Sequence, residues 1–458
     1  MELMDFIIDY LPLFMFATLG VFLFTGYPVA FILGGVAISY GLIGNLLGVF
    51  SLGEFFNFPP RIWGFAAENL VLVAIPGFVF MGIMMERSGV AEDLLHTTQV
   101  LLRRVPGGLA MSVTVMGTIL AAMTGIIGAS VTMMTALALP TMLKSRYSPA
   151  LATGVICASG TLGILIPPSI MLIIMGDLLQ VPVGTLFMAA LVPGLILAVL
   201  YMIYIGIHAK LDPSVAPPLG DSDLQVATSD LPRMLVRAFL PPVTLIIIVK
   251  GSILFGFATP SEAGAVGAFG AVMLALAKRR LKWEMLKGVC ESAGLTIAMI
   301  FFIIVSATCF AYVFRSLGGD YIVEEVIQEA GLSSWGLLYL IMFIVFFLGF
   351  FLDWVEITLI VLPIFAPLAI GLDFGDHVAQ SDVLTWFIIL VAVNLQTSFL
   401  TPPFGFAIFY LKGIAPKGVE TLDIYRGIIP FVILQVVGLL MVLAFPEVSL
   451  WLARISYD

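Results

Sequence analysis

Gly160-Thr161-Leu162-Gly163-Ile164-Leu165-Ile166-Pro167-Pro168-Ser169 and Asn394-Leu395-Gln396-Thr397-Ser398-Phe399-Leu400-Thr401-Pro402-Pro403 decide the fold of this chain. Each lies inside an apolar stretch long enough to cross a bilayer, and each meets two consecutive prolines that have no N–H to give to a helix. A helix interrupted at that depth leaves backbone groups that lipid cannot satisfy. The interruption survives only where it is buried in protein or lines a cavity.

The rest of the chain fits a membrane setting. Of 458 residues, 61% are AVILMFWYC and 11% are charged, against ~25% charged in soluble domains. A soluble enzyme of this length would need more polar surface. The net charge of −9 excludes the basic footprint of a nucleic-acid binder. Cys157, Cys290 and Cys309 fall in apolar segments and the three histidines are scattered, so neither a disulfide framework nor a zinc site has its ligands. Met1 to Asp9 carries three acids and no base, the reverse of a signal peptide, so the first apolar run is expected to stay as a span.

Spans are expected at 10–26, 28–48, 66–86, 184–208, 234–256, 260–278, 290–314 and 426–446, with broken helices at 149–180 and 382–412. Two further apolar regions, 108–143 and 335–372, are interrupted by Thr124-Gly125 to Gly128-Ala129-Ser130 and by Asp353-Trp354-Val355-Glu356, and read as re-entrant hairpins. A polar linker at 211–233 divides the chain into halves, 1–210 and 234–458. Leu139-Pro140 corresponds to Leu362-Pro363, Pro167-Pro168 to Pro402-Pro403, and Val192-Pro193 to Ile429-Pro430. With five complete crossings per half, the second half enters the membrane upside down. The expected fold class is thus an all-α polytopic protein of two inverted-topology repeats, each with a re-entrant hairpin and a helix broken at Pro-Pro.

Charge placement tests that count independently. With the N-terminus on one face, sixteen Lys and Arg fall on the opposite face and only Arg61, Arg315 and Arg454 on its own, with Lys250 inside a span. The basic face is cytoplasmic by the positive-inside rule, so both termini and the linker are placed, periplasmic and cytoplasmic respectively. Two amphipathic connectors, Arg87 to Arg104 inside and Leu317 to Ser333 outside, carry charges that suit those faces.

The four breaks hold the candidate chemistry. Carbonyls that end one half-helix, with nearby hydroxyl or carboxylate oxygens, make a hard-oxygen site for a small cation, while the following helix N-terminus favours an anion. The candidate Na⁺ ligands are Gly128, Ser130, Thr161, Gly163, Asp353, Glu356, Thr397, Ser398 and Thr401. The candidate substrate contacts are Ser130, Pro167, Pro168, Ser169, Thr397, Pro402, Pro403 and Gly405. Asp353 and Glu356 weigh most, because an intramembrane acid costs ~2.5–3.5 kcal/mol unless paired and no base precedes Lys412 in the second hairpin or its broken helix. Tip hydration is the competing role for Asp353. Glu262, just after Pro260, is expected to cap a helix.

Ala258-Thr259-Pro260-Ser261-Glu262-Ala263-Gly264-Ala265-Val266-Gly267, with Gly163-Ile164-Leu165-Ile166-Pro167-Pro168-Ser169 and Thr401-Pro402-Pro403-Phe404-Gly405, resembles the large membrane subunit (DctM-type) of tripartite ATP-independent periplasmic (TRAP) transporters over essentially the whole chain. The resemblance implies an elevator-type, Na⁺-coupled importer of organic acids in the bacterial inner membrane. It implies two partners, a small four-helix membrane subunit and a soluble periplasmic substrate-binding protein, and Na⁺ sites at the hairpin tips and helix breaks. No organic cofactor is implied. The linker resembles a subgroup associated with keto acids or aromatic and hydroxy acids, and without four extra N-terminal spans the small subunit is expected to be a separate polypeptide.

A channel would need a continuous polar lining, and an enzyme a base or nucleophile constellation that is missing at membrane depth. The remaining alternative is a Na⁺/anion symporter of the same inverted hairpin plan that works without a binding protein.

Overall fold

The computed structural model describes residues 2–218, 231–329, 331–402 and 405–457. Among the described residues all regular structure is helical. Eight helices are long and apolar enough to cross a membrane: Val29–Leu46, Ile127–Lys144, Val183–Leu211, Leu231–Leu254, Pro260–Ala277, Trp283–Ser316, Val383–Leu400 and Thr421–Ala444. Shorter apolar helices, Leu11–Leu23 and Ser334–Leu348 among them, complete the set.

Both interrupted regions fold as paired helices. The first hairpin is Gly108–Thr124 followed by Ile127–Lys144, and the second is Ser334–Leu348 followed by Trp354–Ile360 and Leu362–Ile370. The first broken helix is Pro149–Thr161, a 3-10 turn over Leu162–Ile164, and Ile170–Leu178; the second is Val383–Leu400 and Phe406–Ile414. Within the two connectors, Val90–Leu102 and Gly319–Glu329 are helical.

Three segments differ from the sequence-based spans. The 66–86 stretch is a π turn at Trp63–Ala67, a break, and the helix Ala74–Arg87. There Glu68 accepts from the Trp63 indole and Asn69 from the Val71 N–H, so polar side chains hold a turn that hydropathy alone overlooks. Trp283–Ser316 runs past both ends of 290–314 because no proline stops it. After Pro446 the chain makes a further amphipathic helix, Glu447–Tyr457, with an Arg454–Glu447 ion pair. The linker's first residues are ordered: Gly107 and Ser148 donate to the Ala216 and Val215 carbonyls. Ser214 donates to the Asp212 carboxylate, which holds that carboxyl below its usual range. Residues 219–230 lie outside the described residues.

The chain packs as two compact units, each drawing on both sequence halves: residues 1–72 with 295–384, and residues 73–294 with 385–458. In the first unit, Phe16 lies edge-on to Phe310 and Phe314, Phe31 to Phe302, and Phe24 to Phe351 beside the second hairpin's turn. Tyr312 accepts from Asn57 and donates to Glu54.

The second unit is built on close helix approaches through small residues. A Cβ on Gly77 would sit 2.6 Å from the Gly264 carbonyl carbon, and one on Gly154 would strike the Gly427 backbone. Such approaches are how apolar helices associate without a hydrophobic drive. At one edge of this unit, Lys278 pairs with Asp93 at 2.5 Å and Arg280 with Glu92 at 3.3 Å. These bonds tie Val90–Leu102 to the end of Pro260–Ala277.

Candidate functional site

The first hairpin and both broken helices converge within the second unit. Gly125, at φ +60°, makes the hairpin turn; a Cβ there would lie 3.4 Å from the Ile170 amide nitrogen, so the tip rests on the start of the helix that follows Pro167-Pro168. Gly128 lies under the Tyr410 ring, where a Cβ would come within 2.8 Å, so the same tip also meets the second broken helix. Ser130 is fully buried.

Thr161 ends Pro149–Thr161, and the backbone stays buried through Gly163, Pro167, Pro168 and Ser169. The Pro167–Pro168 peptide is cis. Ser169 closes the break from both sides. Its hydroxyl accepts from the Leu172 N–H as an N-cap and donates to the Ile164 carbonyl at 2.5 Å. The first broken helix thus presents a capped N-terminus opposite the hairpin tip.

In the second broken helix, Thr397, Ser398 and Thr401 donate to the carbonyls of Val393, Leu395 and Thr397. Their hydroxyl protons are committed to the helix, which leaves oxygen lone pairs as what they offer. Gly405, at φ +47°, approaches two main-chain carbonyls so closely that a Cβ would lie 3.0 Å from the Phe399 oxygen and 3.2 Å from the Thr401 oxygen. The helix end and its glycine therefore form a carbonyl-lined corner beside Pro402. Pro403 and Phe404 lie outside the described residues.

Asp353 and Glu356 belong to the other compact unit and are close partners there. Asp353 is the N-cap of Trp354–Ile360 and accepts from the Trp354 N–H at 2.8 Å, while Glu356 reaches back to the Asp353 N–H at 2.6 Å. This is a capping box, formed by two residues that the sequence offers as candidate cation ligands. The same box forms at Thr259 and Glu262, as expected for Glu262.

At the core of the second unit Thr161, a candidate Na⁺ ligand by sequence, meets two glutamines that the sequence does not single out. Gln396 and Gln435 both donate to the Thr161 hydroxyl, at 3.5 and 3.3 Å, and Thr161 donates to the Ala158 carbonyl. All three side chains are fully buried. Gln435, alone among apolar neighbours on Thr421–Ala444, was the available signal, since an intramembrane amide needs a partner. Thr161 and Gln396 stand 235 positions apart, the separation of Pro167 from Pro402.

The fold is that of a polytopic membrane transporter: helices of spanning length, with two helices broken at prolines. The family described as tripartite ATP-independent periplasmic transporter, DctM component, matches residues 16–448, and the chain belongs to it. It is a transporter component and not an enzyme. The chain is 32% identical over 388 residues to the C4-dicarboxylate TRAP transporter large permease protein DctM of Pseudomonas aeruginosa, covering 84% of this chain and 86% of that one. It is 29% identical over 391 residues to the ectoine TRAP transporter large permease protein TeaC of Halomonas elongata, covering 84% and 87%. Its structure is similar to that of the YdaH transporter of Alcanivorax borkumensis, with a TM-score of 0.59, 13% identity and 87% of each chain covered, a likeness of fold.

Proposed function

We propose that this chain is the membrane-embedded transport subunit of a Na⁺-coupled importer of small organic acids, supplied by a periplasmic binding protein and assembled with a small four-helix membrane subunit in the bacterial inner membrane. The observation that carries the proposal is the family match over residues 16–448, joined to the packing of the first hairpin tip on the capped start of Ile170–Leu178. Relatives named for C4-dicarboxylates and for ectoine support small, carboxylate-bearing substrates.

In this reading the carbonyl corner at Phe399, Thr401 and Gly405, with the Thr397 and Ser398 hydroxyls, holds one Na⁺. Gly128, Ser130 and Gly163 line its counterpart around the first hairpin, and Asp353 and Glu356, in the other compact unit, offer carboxylate oxygens at the second hairpin. The substrate carboxylate is drawn to the N-terminus capped by Ser169, beside Pro167 and Pro168, where partial positive charge and free N–H groups point outward. The chain is read as an inverted repeat with both termini periplasmic. The body expected to move comprises both hairpins and both broken helices; of these, the first hairpin and the two broken helices pack in one compact unit, and the second hairpin belongs to the other.

Reconstitution of the chain with its small subunit into proteoliposomes tests the partner requirement. Uptake of a C4-dicarboxylate, an α-keto acid or ectoine under an inward Na⁺ gradient should appear only when the binding protein is added. Equal uptake without it would favour the symporter that works alone.

A further inference from the structure

Four fully buried polar side chains meet in the second unit: Thr161, Tyr201, Gln396 and Gln435. They come from Pro149–Thr161, Val183–Leu211, Val383–Leu400 and Thr421–Ala444. The Thr161 hydroxyl is saturated, because it accepts from both amides and donates to the Ala158 carbonyl. Both amide oxygens and the Tyr201 hydroxyl are left without hydrogen-bond partners. The Tyr201 hydroxyl lies beside the Gln435 side chain.

Buried polar atoms go unpaired rarely, and each orphan costs ~1–3 kcal/mol. Three in one cluster therefore call for a ligand. We propose that the cluster is a binding site for one sequestered water molecule. Two carbonyl oxygens need donors and one phenol needs an acceptor; a water offers two O–H donors and a lone pair, which is the complement of that set, and buried waters average about three such bonds. A Na⁺ ion fits poorly. It would find two amide oxygens and a phenol but not the saturated Thr161, and it would leave the phenol proton unpaired.

The water bridges the first segments of the two broken helices, through Gln396 and the Thr161-bound amide of Gln435, to the two helices behind them. It is a positioning element: it keeps Thr161, the last helical residue before the first break, in register with Gln396, four residues ahead of Leu400. The water's hydrogen bonds use none of the oxygens assigned to Na⁺ above, so the site does not depend on that assignment.

Radiolytic hydroxyl labelling in ¹⁸O-water, with the transporter complex in lipid nanodiscs, tests this directly, because a bound water oxidises the side chain it touches whatever its exposure. Tyr147 is the internal control. It is also buried, but its hydroxyl accepts from the Leu109 N–H at 3.2 Å. Tyr201 should label severalfold faster than Tyr147, with the same rate in NaCl and in choline chloride. Gln435→Met, close in shape but lacking the amide, should lower Tyr201 labelling to the Tyr147 rate. Labelling of Tyr201 no faster than Tyr147 in the wild-type protein would overturn the site, whether or not the variant folds. Loss of labelling on adding Na⁺ would also overturn it, since a cation would then be the occupant.

Discussion

Asp353 holds a helix N-terminus, and in the proposed function its carboxylate also binds Na⁺; substitution separates the two roles. Asparagine caps a helix about as well as aspartate, so Asp353→Asn should leave the thermal midpoint unchanged. It removes the negative charge, and the Na⁺ concentration for half-maximal uptake should rise by about tenfold, equivalent to ~1.4 kcal/mol. Asp353→Ala loses the cap as well and should lower stability by ~0.5–2 kcal/mol in a thermal-shift assay. An unchanged Na⁺ requirement in Asp353→Asn would leave the capping box as the residue's whole purpose. The spacing Asp353-x-x-Glu356 is a capping-box signature, and the residues are legible as a pair on sequence alone; their cost at membrane depth drew attention to charge and away from the local bond. Glu262 shows the reverse case, because Thr259 and Pro260 mark the helix start so plainly that the cap is the evident role. The Thr161 group was out of reach for a different reason. Its members come from four helices, and nothing local pairs Gln435 with a threonine 274 residues away.

At the scale of elements, proline and glycine did most of the work: every broken helix and hairpin placed by Gly125, Pro167-Pro168 and Pro402 has its interruption where the backbone chemistry requires it. What remained illegible were features held by contacts, namely the turn at Glu68 and Asn69 and the amphipathic helix after Pro446. Close helix approach supplies a test. Gly427 faces the Ala150 backbone so closely that any side chain collides with it, and overpacking of this kind costs ~1–3 kcal/mol. Gly427→Leu should lower the thermal midpoint of the detergent-purified protein, whereas Gly294→Leu, with open space around it, should not. Equal effects would deny the tight crossing. The Lys278–Asp93 pair gives a second test, since the lysine side chain is 15% exposed and the aspartate 34%. Asp93→Asn should cost about 1 kcal/mol, and exchange of the two residues should recover most of it.

For the whole molecule, charge asymmetry and an odd number of crossings per half predict that Ser51 and Ser381 face the periplasm and Ser145 the cytoplasm. Cys157 and Cys309 are buried and Cys290 is exposed, so a Cys290→Ser background is needed before single cysteines are introduced. Ser51→Cys and Ser381→Cys should react with an impermeant thiol reagent in intact cells, and Ser145→Cys only after lysis; protection of Ser381→Cys would undo the inverted repeat. Na⁺ coupling, as proposed, requires the buried breaks to be ion sites. The most direct measurement is uptake of organic acid by proteoliposomes that hold the chain, its small subunit and a loaded binding protein, with Na⁺ outside replaced stepwise by K⁺ at constant ionic strength. Uptake should rise cooperatively with external Na⁺, run above equilibrium only while the gradient lasts, and vanish in K⁺. Uptake of the same rate and extent in K⁺ would rule out Na⁺ coupling.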